Sequence, residues 1–163
     1  LSHTDSLTTL GNRRALSRQV EQWVGASSAQ ALGSLLLIDV DFFKKINDNF
    51  GHNEGDRILT ELARQLLKSV RTQDTVVRYG GEEFAIWSPL SDIDAATRIA
   101  RRVHEQVAQI RLEGRQITVS IGFTTQSHQG QTAEHYLAQL LKEADAALYQ
   151  AKAEGRNRSV CYR

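Results

Sequence analysis

Two short acidic clusters hold the side chains of this sequence best suited to chemistry. Asp39 and Asp41 stand two apart at the end of the apolar run Leu35-Leu36-Leu37-Ile38. In an extended strand that spacing turns both carboxylates to one face. Glu82 and Glu83 follow Gly80-Gly81 directly. A strict two-residue hairpin loop would set Arg78 opposite Glu83 and Tyr79 opposite Glu82. Taken singly, either pair could be a solvated turn or strand end. Together, strand-end carboxylates beside a glycine turn are the hard-oxygen donors of a magnesium-dependent phosphoryl or nucleotidyl transfer site. Four carboxylates could not meet a triphosphate bare, since each like pair at ~4 Å costs ~4 kcal/mol at an effective dielectric of ~20. Two Mg²⁺ ions would reverse that sign and hold both the attacking and the leaving oxygens.

The elements that must position these groups follow from apolar spacing. Leu16, Val20 and Trp23 suit a first helix that ends at the small-residue linker Gly25 to Gly33. Leu35 to Asp41 reads as a strand buried on both faces. Ile58, Leu59, Leu62, Ala63, Leu66, Leu67 and Val70 form one stripe of a helix over 52–70. Thr75 to Tyr79 and Glu82 to Trp87 are two strands joined by the glycines. Ser91 with Asp94 predicts a capped helix start, and Ile99, Val103, Val107 and Ile110 its buried stripe. A strand over 117–123, a long helix through Leu137 to Ala151 stopping at Gly155, and a short strand over 159–162 complete the order. That order, α, β, α, β, β, α, β, α, β, implies a central sheet covered by helices.

Composition narrows the function classes. The 163 residues hold 20 Lys+Arg against 19 Asp+Glu, one Cys, one Pro and no Met. A net charge of +1 argues against gripping a long nucleic acid through its phosphates. Cys161 cannot form an internal disulfide, and no CxxC pair exists to hold zinc. No apolar run approaches the ~20 residues that span a bilayer, so direct membrane contact is not expected. A chain opening at Leu1 without any Met reads as one domain, 1–163, excised from a larger protein. The domain itself reads as cytoplasmic, whether or not its parent is anchored to a membrane. His3, His104, His128 and His135 lack metal-ligand spacing and read as surface residues. His128-Gln129-Gly130-Gln131 reads as a mobile loop, and Trp23 and Trp87 as packing residues.

The stretch Arg78-Tyr79-Gly80-Gly81-Glu82-Glu83-Phe84 resembles the signature of the GGDEF family of diguanylate cyclases, in its GGEEF form. The resemblance spans the chain. Asp5 to Arg14 resembles the family's opening D-x-L-T-G-L-x-N-R-R, with Thr9 in place of the usual glycine. Asp39 to Asp48 and Gly51 to Asp56 resemble its D-x-D-x-F-K-x-I-N-D and G-H-x-x-G-D blocks. Ala144 to Lys152 with Gly155-Arg156-Asn157 resembles its last block. Four spaced blocks in order make the likeness specific.

The resemblance implies an α/β (α+β) fold with a central, mostly antiparallel five-stranded sheet flanked by helices, akin to nucleotide cyclases and polymerase palms. It implies an enzyme condensing two GTP into cyclic di-GMP and two pyrophosphates as a two-fold homodimer. Asp39, the backbone carbonyl of Val40 and Glu83 would hold Mg²⁺, two ions per active site, with Mn²⁺ as a substitute. Glu82 would accept the proton of the ribose 3′-hydroxyl or touch metal, and the sequence leaves both roles open. Asn47, His52 and Asp56 would line the guanine site. One carboxylate can accept guanine's N1–H and N2–H₂ together, whereas adenine would leave it unpaired. Lys44, Lys152 and Arg156 resemble triphosphate contacts, with backbone N–H groups of Phe42 and Phe43 near a helix start. There is no GxxxxGK[ST] loop.

Arg71-Thr72-Gln73-Asp74, five residues before Gly80, resembles the family's RxxD inhibitory site, where the product cyclic di-GMP would bind. Arg98, Arg101 and Arg102 are open candidates for the second arginine of that pocket. The alternative reading is a catalytically silent module, either a cyclic di-GMP receptor or a GTP-binding regulatory domain.

Overall fold

A computed structural model describes residues 2–163. Its elements are α1 (Arg13–Ala26), β1 (Leu32–Val40), α2 (Phe43–Phe50), α3 (His52–Lys68), β2 (Thr75–Arg78), β3 (Glu83–Pro89), α4 (Ile93–Val107), β4 (Arg111–Leu112), β5 (Arg115–Gln116), β6 (Val119–Ser127), α5 (Ala133–Ala153) and β7 (Arg158–Cys161). The main sheet has five strands in the order β2-β3-β1-β6-β7. Every pairing is antiparallel except β6 with β7. This is the mixed, mostly antiparallel, palm-like sheet that the family resemblance implies, with helices on both faces.

β1 lies at the centre, and its apolar run explains both layers. Leu36, Ile38 and Val40 turn to one face and join α3 and α4 through Ile58, Leu62, Ile99 and Val103. Leu35 and Leu37 turn to the other and join α1 and α5 through Leu16, Val20, Leu140 and Leu148. A strand period of two thus sorts four consecutive apolar residues into two cores. Trp87 and Tyr136 are fully buried in the second core, where Trp23 meets Trp87 edge-on at 5.2 Å. The tryptophans are packing residues, as expected.

Several local expectations are corrected. Apolar spacing gives neither α2, although the family resemblance puts a helix start near Phe42 and Phe43, nor the small β4–β5 hairpin. Phe43, Ile46 and Phe50 do recur at helical spacing, but eight residues are too few to hold a helix without tertiary packing. The Gly-Gly loop is longer than two residues: Arg78 faces Phe84 rather than Glu83. The N–H groups of Tyr79 and Gly80 both donate to the Glu83 carbonyl, and the Arg78 guanidinium donates to the Gly81 carbonyl, which closes a wider turn. At α4 the cap is Asp92, whose carboxylate accepts from Ala95 N–H at 2.8 Å. Ser91 is instead buried and bonds β1. His128 is buried, edge-on to Trp23 and Tyr136, and its imidazole accepts from Gly130 N–H. The 128–131 segment is therefore a bonded turn. His104 is half-buried, and burial pushes its pKa down, partly opposed by Asp41.

One close approach fixes how α5 lies on the sheet. A Cβ on Gly122 of β6 would stand 2.1 Å from the Leu148 nitrogen and 2.3 Å from the Ala144 carbonyl. Both obstacles are backbone, so the helix itself would have to lift. Gly122→Ala is expected to lower stability by about 1–3 kcal/mol or more, read as a reduced midpoint in urea denaturation.

Candidate active site

The edge of the sheet where β1 ends gathers the acidic groups. Asp39 pairs with Glu83 across the β1–β3 ladder, and the Val40 N–H donates to the Glu82 carbonyl in the loop before β3. Burial raises the Glu82 carboxyl above the ordinary carboxylate range, and the charge of Asp39 and a hydrogen bond with it add to the effect, with Lys152 opposing. Burial likewise raises Glu83, reinforced by Asp39 and Asp145. Three carboxylates share one edge, and Lys152 of α5 answers them by bonding Asp39 Oδ2. Asp39 Oδ1 is buried without a hydrogen-bond partner.

Asp41 shares that face but is not part of the well. Its oxygens accept from Thr118 Oγ1 at 2.7 Å, Ser120 Oγ at 2.6 Å and Asn157 N–H at 3.0 Å. Of the four carboxylates expected to converge, Asp39, Glu82 and Glu83 do, and Asp41 is a strut under the turn after α5. Arg156 and Asn157 hold that turn in left-handed conformations, φ 65° and 48°. The Arg156 guanidinium lies 3.8 Å from Asp41 and 4.8 Å above the Phe42 ring. Phe42 is itself left-handed (φ 57°), exposed, and heads α2 without a side-chain cap. The first N–H groups of that helix are therefore free of a side-chain cap, and Lys44 in its first turn is exposed.

Beside this edge α2, α3 and the Gly-Gly loop enclose a cleft of about 410 Å³, lined by Asn47, Asp56, Leu59, Arg78, Gly81 and Glu82, with Phe43 and Lys44 at its wall. Asn47 Oδ1 is buried and unpartnered. A Cβ on Gly55 would come within 1.9 Å of that oxygen, so the glycine makes room for the Asn47 amide. Asn47 and Asp56 both line this cleft, whereas His52 is exposed at the start of α3 and does not. Leu59 and Arg78 went unnoticed as cleft residues. Leu59 stands three residues after Asp56 on α3, a spacing that could have revealed it.

The Arg71-Asp74 motif lies at the other end of β3. Glu83 and Ser88 are five residues apart, about 17 Å along a strand. The Asp74 side chain is fully buried and accepts from Arg71 and from Ser88 Oγ, while Arg71 also donates to the Pro89 carbonyl. Arg98 lines one cleft of about 430 Å³ with Arg71, Ser91 and Asp92. Arg102 instead donates to the Ser69 carbonyl at 2.9 Å, and Arg101 is exposed outside that cleft.

The donor chemistry at the sheet edge suits a hard divalent cation. It offers an orphaned Asp39 oxygen and two carboxylates whose ionised forms are disfavoured until a cation arrives. Among the described residues no group of three or more His, Cys, Asp or Glu side chains forms a finished metal cage.

The sequence profile described as "Diguanylate cyclase, GGDEF domain" matches residues 2–158. The chain belongs to the GGDEF family. The response regulator PleD of Caulobacter vibrioides is 44% identical over 170 residues, an alignment covering 98% of this chain and 36% of that protein. The GGDEF chain thus spans about a third of the length of such a relative. Among solved structures, the diguanylate cyclase SiaD of Pseudomonas aeruginosa, in complex with its activator SiaC, superposes with a TM-score of 0.88 at 36% identity, covering 98% of this chain and 62% of SiaD. The GGDEF domain of DgcB from Caulobacter crescentus, in complex with c-di-GMP, gives 0.87 at 29% identity, covering 99% and 96%. No helix among the described residues is long and apolar enough to cross a membrane.

The Asp39–Lys152 pair has an energetic consequence. Lys152→Met leaves Asp39 beside two half-buried glutamates without its own cationic partner, and is expected to cost about 1–3 kcal/mol after discounting for partial exposure. Glu82→Gln removes one like charge and should raise the melting temperature in EDTA. Thermal denaturation at pH 7.5 reads both.

Proposed function

We propose that this domain condenses two GTP into cyclic di-GMP with release of two pyrophosphates. The observation that carries the reading is the pairing of Asp39 with Glu83 next to Glu82, which itself lines the cleft that holds Asn47 and Asp56. Asp56 accepts guanine N1–H and N2–H, and Asn47 supplies a further polar contact to the base edge. Adenine would leave the Asp56 carboxylate unmatched. Asp39, the Val40 carbonyl and Glu83 would hold Mg²⁺, and Glu82 would be a further oxygen donor. Bound there, the ion offsets the charge of a triphosphate beside three carboxylates.

The remaining steps belong to the chain's own groups. Lys44, Arg156 and the open N–H groups of α2 orient the triphosphate. Lys152, which bonds Asp39 in the free protein, is at hand for the phosphates once the carboxylate has another cation. Glu82 takes the proton of the ribose 3′-hydroxyl. Its raised pKa brings it closer to neutrality, which suits a base that must accept a proton and later release it. One domain holds one GTP, so two copies related by a two-fold axis present their sites to each other.

Product binding is part of the same reading. Arg71 and Arg98 provide a cationic cleft for cyclic di-GMP, well removed from the carboxylates, so occupancy there restrains rather than blocks GTP binding. A receptor or silent regulatory domain would bind nucleotide in either cleft without turnover.

Incubation with GTP and Mg²⁺ should yield cyclic di-GMP and pyrophosphate, separated by chromatography, and EDTA should abolish both. Glu83→Ala should cut turnover by at least 100-fold while the melting curve stays cooperative. Nucleotide binding without any wild-type product would replace this reading with the receptor or the regulatory one. Arg71→Ala would strip the Asp74 carboxylate of its cationic partner, so Arg98→Ala is the cleaner probe of inhibition. It should raise the product concentration needed for half-inhibition about tenfold without changing the initial rate.

A further inference from the structure

The Gly80-Gly81 loop is a ridge between two clefts. On one side lies the cleft of Asn47 and Asp56; on the other is a cavity of about 560 Å³ lined by Asp5, Arg13, Arg14, Arg78 and both glycines. Arg78 and Gly81 border both.

The charge of this second cleft works against the fold. Arg13 and Arg14 open α1, whose first turn has no acidic residue. Cations at that end face the positive pole of the helix dipole, a cost of about 0.3–1 kcal/mol each. The one carboxylate lining the cleft, Asp5, pairs with Arg78 at 3.3 Å. Thr8 hydrogen bonds and that arginine hold its carboxyl below the usual range although burial opposes them. Arg13 stacks on Tyr79 at 4.2 Å and donates through Nε to the Tyr79 carbonyl. Arg14 reaches only the Ser2 carbonyl, at 3.4 Å. Among the described residues neither Arg13 nor Arg14 has a carboxylate within 4.0 Å. Two guanidiniums beside a helix N-terminus make a site for an anion rich in oxygens.

The glycines point the same way. Neither Gly80 nor Gly81 has a positive φ. A Cβ on Gly81 would meet nothing within 4 Å, and one on Gly80 only the Glu83 Cβ at an ordinary 3.6 Å. Nothing inside the chain requires glycine here, although two glycines in a row raise the entropy cost of ordering the loop. What their bareness permits is close approach from outside, on both flanks of the ridge.

We propose that Arg14, supported by Arg13 and the Gly80-Gly81 backbone, binds the phosphates of a GTP carried by a second copy of this chain. The proposal rests on the reading that two GTP are joined. Its own nucleotide fills the Asn47 side of the ridge, so the partner's nucleotide meets the other side. In each joining step the 3′-oxygen of one GTP forms a bond to the α-phosphorus of the other. The bond from that phosphorus to the bridging oxygen of the β-phosphate breaks, and its electron pair leaves with pyrophosphate. The hydroxyl proton passes to Glu82. Arg14 meets the charge that grows on the departing pyrophosphate in trans.

The test uses Arg14→Ala, whose side chain is exposed, with thermal denaturation to verify folding. Affinity for a non-hydrolysable GTP analogue with Mg²⁺ should stay within twofold of wild type. The rate at saturating GTP should fall at least tenfold, and Arg14→Lys should recover part of it. Mixing Arg14→Ala with Glu83→Gln should form the linear dinucleotide pppGpG above the sum of the separate variants, because one of the two nucleotides then sees both an intact Glu83 and an intact partner Arg14. A wild-type rate for Arg14→Ala overturns the proposal. So does a loss of analogue affinity equal to the loss of rate, or a mixture that forms no additional linear product. A wild-type chain that forms no dinucleotide at all overturns the underlying cyclase reading instead, and the proposal with it.

Discussion

Everything at the sheet edge depends on one ion pair, Lys152 with Asp39. It ties the last turn of α5 to the end of β1, and it is the cationic partner that lets Asp39, Glu82 and Glu83 share a partly buried corner. Gly122 makes the pair possible by letting α5 lie directly on β6. Asp41 then extends the same tie by bonding the Asn157 N–H, so the turn that bears Arg156 is held against the sheet. A buried carboxylate thus anchors a cation loop while its neighbour two residues earlier keeps one oxygen unpartnered. The two are alike in sequence and opposite in role.

The near balance of 20 basic and 19 acidic residues is an average over segregated regions. Carboxylates collect where β1 and β3 meet. Guanidiniums collect in two separate clefts, around Arg71 and Arg98 at the far end of β3, and around Arg13, Arg14 and Arg78 beyond the glycine ridge. Each separation costs stability in the free molecule, through like-charge repulsion, burial or an opposed helix dipole. Such costs mark places where a protein is shaped for something other than itself.

Much of this was legible because period and burial agree. Leu35 to Ile38 carried the signal of a strand buried on both faces, and the stripes of α3, α4 and α5 fixed their inner sides. The misreadings share a cause: they concern short segments whose form is set by distant partners. α2 is held by burying Ile46, the width of the glycine turn by Arg78 bonding back to Gly81, and the turn at His128 by Gln129 donating to the Ala29 carbonyl. Residue type misled at His128 as well, since imidazole can serve as a flat packing surface once its nitrogen has a backbone donor.

By itself the sequence determined the main strands, the longer helices and the family resemblance, because apolar periodicity and ordered motif blocks are local. Only the tertiary structure decided which carboxylates share a charge and which are struts. It also separated Arg98 from Arg102, left His52 outside the cleft, and set Arg13 and Arg14 beside the glycines. These are matters of distance between segments far apart in the chain, and electrostatics and hydrogen bonding depend on that distance rather than on order along the backbone.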